Sequence, residues 1–195
     1  MDKNFFMFIK DAYTNGLCDE YKDEIRRCGD DKERLMSLAL RQQSLPWVIS
    51  NLNNSGILDK SYMLENFGEC VNTRVFNDCD GVIGFKYKMF VGYNHSVRLD
   101  DIDVSAYLWC DKTQVEVVQA KCPIIYVGCG SNVSLICEGY NSVRVYLFDN
   151  ASVTLDDVDE SSNVTVLRYS DKARVEYGKY CLSKKVKVFD KELKL

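Results

Sequence analysis

Apolar residues recur at helical spacing through the first third of the chain and at strand spacing through the rest. Phe5, Phe8, Ile9, Ala12 and Tyr13 share one helical face, and Asn15-Gly16 closes that segment. Tyr21, Ile25 and Cys28 repeat the spacing before Gly29. Asp30 with Glu33 reads as a capping box opening a helix whose apolar stripe is Leu35, Leu38 and Ala39. Ser44 with Pro46 opens a short helix through Leu52, and Asp59 caps another that Gly68 closes. The pattern predicts about five helices before residue 70, with more apolar surface than they can bury among themselves.

From about residue 75 the period changes to two. Val82, Phe85, Tyr87, Met89 and Val91 alternate with polar residues and glycine, without helix caps. A repeat follows, in which a turn of Asn, Ser, Asp or Gly precedes a run of apolar residues two apart. Its first apolar residues are Val115, Val133, Val143, Val153, Val164 and Val175, and Ile124 splits the first long gap. The units are therefore 9–11 residues long. Val143, Val145 and Leu147 form an inward set, and Ser142, Arg144 and Tyr146 an outward one. A hairpin meander and a β-solenoid both fit this spacing. Like residues at like positions favour the solenoid, because stacked coils select them; the repeats also lack the Asn-Gly and Asp-Gly turns of tight hairpins.

The prediction is an α+β fold, with a helical N-terminal region over 1–70 and a β-rich solenoid region over 71–195. Residues 95–178 carry 13 acids and seven bases, whereas 179–195 carry six lysines and two acids. The basic tail, with VKVF at 186–189, reads as a cap or a lysine-protected edge. Between Phe67 and Val82 no proline or serine-rich tether occurs. The helices are therefore expected to cap the solenoid and to unfold with it.

Composition narrows the chemistry. The net charge of −4 and pI near 5.1 argue against a nucleic-acid footprint or a membrane-surface patch. No apolar stretch suits a signal peptide or a spanning helix, which places the chain in the cytoplasm, or on a virion if it is phage-derived. The nine cysteines are odd in number and show no Cys-x-x-Cys pair, so free thiols are expected and no metal or cofactor is implied. The one histidine, His95, lies in a turn with no catalytic partner nearby in sequence.

Two acidic clusters remain. Asp100, Asp101 and Asp103 form one; Asp156, Asp157, Asp159 and Glu160 form the other, in the connection between Leu155 and Val164. A carboxylate from each on one solenoid face would suit glycosidic cleavage, the rival reading to a non-enzymatic interaction protein. Outward aromatics supply the binding candidates Trp109, Tyr126, Tyr146 and Tyr169. The implied partner is another protein, and an open solenoid end also offers a route to homo-oligomers.

The helical stretch NGLCDEYKDEIRRC, followed by NSVRVYLFDNASVTLDD and SNVTVLRYSDKARV, resembles uncharacterised proteins of gut Bacteroidales and their prophages and mobile elements. The resemblance implies helices before Asn-Ser-x-Val-type β repeats and a mobile-element setting. It implies no catalytic residue.

Overall fold

The computed structural model describes residues 19–41, 59–77, 86–100, 104–118, 120, 123–128, 130–139 and 141–191. Among the described residues three helices come first: α1 (Asp19–Cys28), α2 (Lys32–Ala39) and α3 (Lys60–Phe67). Acids in its first turn and Arg26 and Arg27 in its last suit α1 to its own dipole. Asp31, rather than Asp30, caps α2 by accepting from the Arg34 amide at 3.0 Å. Asp59 caps α3 as expected, accepting from the Tyr62 amide at 2.7 Å. The predicted helices over 5–13 and 44–52 lie outside the described residues. No helix among the described residues is long and apolar enough to cross a membrane.

Twelve strands follow among the described residues. Sheet A holds β1 (Phe76–Asn77), β2 (Lys86–Val91), β4 (Val104–Trp109), β6 (Ile124–Val127), β8 (Ser142–Leu147), β10 (Asn163–Arg168) and β12 (Val186–Asp190), in that spatial order. Sheet B holds β3 (Val97–Leu99), β5 (Thr113–Val118), β7 (Asn132–Glu138), β9 (Ser152–Val158) and β11 (Arg174–Cys181). Every neighbouring pair is parallel except β1 with β2. The chain is therefore a β-solenoid, each coil contributing one strand to each sheet. The 9–11-residue unit of the sequence is half a coil: Val143 pairs with Val164 and Val164 with Val186, offsets of 21 and 22 residues.

The register matches the predicted inward set, with two corrections. Val115, Val133, Val143, Val153 and Val164 are buried between the sheets, with Leu108, Val127, Val145, Leu147, Leu155 and Val166. Val175 is only half-buried, because no coil stacks beyond it among the described residues. In β6 the inward residue is Ile125, which pairs with Val145, while Ile124 faces out. All four residues of β6 are buried, so alternation along this strand carries no information about its face.

The polar turn residues hold the corners. Ser162 Oγ donates to the Gly139 carbonyl and Ser183 Oγ to the Ser162 carbonyl, each at 2.6 Å. Asn141, fully buried, donates to the Val117 and Glu138 carbonyls. At the opposite corner the Cys110 amide donates to Ser131 Oγ at 2.9 Å. These short side chains satisfy corner backbone groups that no ladder reaches, which is why Ser and Asn recur there.

Among the described residues, the helices pack beside the coil rather than over its end. Helices α2 and α3 lie along the outer face of sheet A, where Met36, Leu40, Tyr62, Met63 and Phe67 share a second core with Tyr87, Met89, Tyr107, Trp109 and Tyr126. The free edge of β2 is closed instead by Asn72 and β1. Asn72, at φ 67°, accepts from the Val91 amide at 2.9 Å and donates to the Val91 carbonyl at 3.1 Å, so its side-chain amide stands in for a strand. Asn tolerates the left-handed region better than most residues. Asn72→Ala should lower stability by about 2 kcal/mol, roughly 1 for each bond lost. Asn72→Gly, which keeps the backbone free to adopt this φ, separates the bonds from the strain. Urea midpoints of the three proteins check this.

Candidate interaction surface

The outer faces of the two sheets differ in kind. On sheet B, Gln114, Ser134, Thr154 and Glu176 lie in register across four strands. Small polar bonds cross this face, such as Ser96 Oγ to Glu116 at 2.8 Å and Ser134 Oγ to Asp156 at 3.2 Å. On sheet A the equivalent row is apolar for the length of the solenoid: Met89, Tyr107, Tyr126, Tyr146, Leu167 and Phe189.

Exposure along that row rises steadily. Met89, Tyr107 and Tyr126 are at most 2% exposed, Tyr146 and Leu167 are half-buried, and Phe189 is 46% exposed. The helical layer belongs to the same core as the first half of the row, and the last coils emerge from it. Around this transition the aromatics stack. Tyr126 and Tyr146 rings lie 4.9 Å apart, Tyr146 and Tyr169 6.0 Å, and Phe148 and Tyr169 5.0 Å, the last two pairs within 9° of parallel. Burial pushes the Tyr126 and Tyr169 phenols up.

The four aromatic candidates therefore divide. Trp109 and Tyr126 face away from the coil as expected, yet at 5% and 2% exposure they are packing residues of the second core, not a surface. Tyr146 and Tyr169 border the open half of the face, with the exposed Arg144 beside them. Leu167 and Phe189 complete the face and were not singled out by sequence reasoning. Reading every second unit as its own column, at about 21 residues, would have found them.

Among the described residues, Asp100 does not come together with the second acidic cluster. Asp100 is exposed beside Arg98 at 3.6 Å, and Asp101 and Asp103 lie outside the described residues. Asp156 and Asp157 are not in a loop but in β9, where a bulge opposite Leu135–Ile136 leaves both exposed. Asp159 staples a turn, accepting from the Ser161 amide and hydroxyl and from the Gly139 amide, which hold its carboxyl below the usual range. β3 and β9 are three strands apart, about 14 Å at normal strand spacing. Glycosidase carboxylates work at separations up to about 9.5 Å. Asp100 therefore cannot act with the 156–160 acids as such a pair.

No group of three or more metal-ligating side chains occurs among the described residues. Cys28, Cys70, Cys110, Cys137 and Cys181 are free thiols, and burial pushes Cys137 up to about 12, far from a reactive thiolate. His95 is exposed, its ring edge-on to Tyr93 at 5.4 Å.

Asp149 carries a measurable cost. It sits at φ 50° in the corner after Phe148, with Oδ2 buried and unpartnered among the described residues, and burial raises its pKa above 3.8. The folded chain thus binds this proton more readily than the unfolded chain. Stability from this group falls as pH rises through the window above 3.8. Asp149→Asn, which keeps a residue tolerant of this φ, should raise the melting temperature at pH 7, and the gain should shrink at pH 4. Thermal melts at the two pH values check this.

No protein-family model, no curated protein and no solved structure matches this chain.

Proposed function

We propose that this chain is a non-enzymatic interaction protein whose solenoid presents the open half of sheet A to a protein partner. The observation that carries this reading is the apolar row on sheet A, buried with the helices along its first coils and emerging as Tyr146, Leu167 and Phe189 along its last. A solenoid keeps equivalent residues above one another, so such a row makes a flat, rigid surface that loses little entropy on binding. The mobile-element setting implied by the sequence resemblance fits a protein that acts on a host or virion component, and the neighbouring genes bear on that directly.

The test uses two surface variants, Arg144→Glu and Tyr169→Ala, each first shown to melt near the wild type. Wild type and variants are cross-linked in the cells that make them. The reading predicts a discrete adduct with the wild-type chain that both variants lose. The same adducts with all three chains, or none with any, would overturn it.

A further inference from the structure

The solenoid has two unlike ends. At the β2 end of sheet A, Asn72 and β1 close the edge. At the other end β11 and β12 are the last strands of their sheets, and the core rows run out into solvent. The row of Leu135 and Leu155, both fully buried, ends on Tyr177 at 60% exposure. The row of Val145 and Val166, also fully buried, ends on Val188 at 36%. Of the seven large apolar residues exposed among the described residues, five lie here: Tyr177, Tyr180, Leu182, Val188 and Phe189.

This end is also basic. Lys179, Lys184, Lys185, Lys187 and Lys191 are exposed, and none forms an ion pair with a described residue. Asp190 is already held by Arg168 at 2.7 Å. Lysine on an edge strand is a common guard against uncontrolled pairing. A guard alone does not call for apolar side chains on the last rung, where polar residues would close the core at lower cost. A second copy joined symmetrically at this edge would set one lysine-rich edge against another, which like-charge repulsion disfavours.

We infer that the β12 edge takes an extended acidic segment of a partner protein as an added strand of sheet A. This inference rests on the interaction reading above and supplies its partner chemistry. Main-chain hydrogen bonds to β12 would supply affinity, and alternate side chains specificity. The inward side chains of the added strand must be apolar, to cover Val186 and Val188. An outward side chain beside Lys187 must be acidic, while one beside Phe189 would lengthen the apolar row. The ligand is thus a strand in which apolar and acidic residues alternate.

The probe is a fluorescent eight-residue peptide of alternating valine and glutamate, with a control in which lysine replaces glutamate. Anisotropy is measured against the full chain at about 50 and 500 mM salt. The glutamate peptide should bind and the lysine peptide should not. Lys187→Glu should weaken binding at least tenfold, as should 500 mM salt, and a proline at the centre of the peptide should abolish it. If Lys187→Glu alters the melt, Lys185→Glu serves in its place. Absence of binding, or binding indifferent to the charge change and the proline, overturns the inference. So does a dimer in sedimentation that Val188→Pro dissolves, since a second copy would then occupy the edge. If the peptide fails while the Arg144- and Tyr169-dependent adduct is present, only this inference falls and the interaction reading stands.

Discussion

Val153→Asp should abolish folding of the full chain at room temperature. Val153 is fully buried and stacked between Val133 and Val175, in the middle of the sheet B ladder. Its neighbours in the coil are apolar, and no lysine or arginine is buried among the described residues to pair a carboxylate. Placing an unpaired acid there costs several kcal/mol even after its pKa rises to keep it neutral. Domains of this size are stable by about 5–15 kcal/mol in total. Val153→Ala, which removes two methyl groups without adding charge, should cost about 2 kcal/mol and leave a folded protein. Circular dichroism and urea unfolding of both variants check this. A Val153→Asp protein that melts within a few degrees of the wild type would place this residue on the solvent side and refute the register.

The second large effect is expected at Trp109. As an exposed binding aromatic it could be truncated for less than about 0.5 kcal/mol. In the second core it lies with Val91, Phe148 and helical residues such as Met63, so Trp109→Ala should cost about 3–5 kcal/mol. The loss should appear as one transition moved to lower denaturant, rather than as a separate early step, because helices and solenoid share that core. Separate transitions in the variant, or an unchanged midpoint, would show that the helical layer contributes little to the solenoid. The salt bridges between the parts, Lys60 to Asp111 and Arg74 to Glu33, are solvent-facing and weigh little beside this packing.

The solenoid was legible in the sequence because its corners and its interior are both repetitive. Val133, Val143, Val153 and Val164 each stand two residues after a small corner residue (Ser131, Asn141, Ala151 and Ser162), so spacing and alternation agreed. The number of strands per coil was not legible, since both half-coils carry the same inward valines and differ only in their outward residues. That difference also hid the surface. Pooled together, Tyr146 and Thr154 look like ordinary outward strand residues; separated by sheet, they belong to an apolar row and a polar one. Burial of Trp109 and Tyr126 depends on helices brought over from elsewhere in the chain, which local patterning does not encode. The β9 bulge, with its two consecutive acids at Asp156 and Asp157, reads locally as a loop because it breaks the period of two.

The central claim is a solenoid closed at the β2 edge of sheet A and open at the other end, where partner binding is proposed. Native-state hydrogen exchange read by mass spectrometry tests it most directly. Amides of β11 and β12 should exchange fastest among the strands, those of β7, β8 and β9 slowest, and those of β2 should be held by Asn72 and the helical layer. Protection in β12 equal to that in β8, or β2 exchanging as fast as β12, would contradict the account.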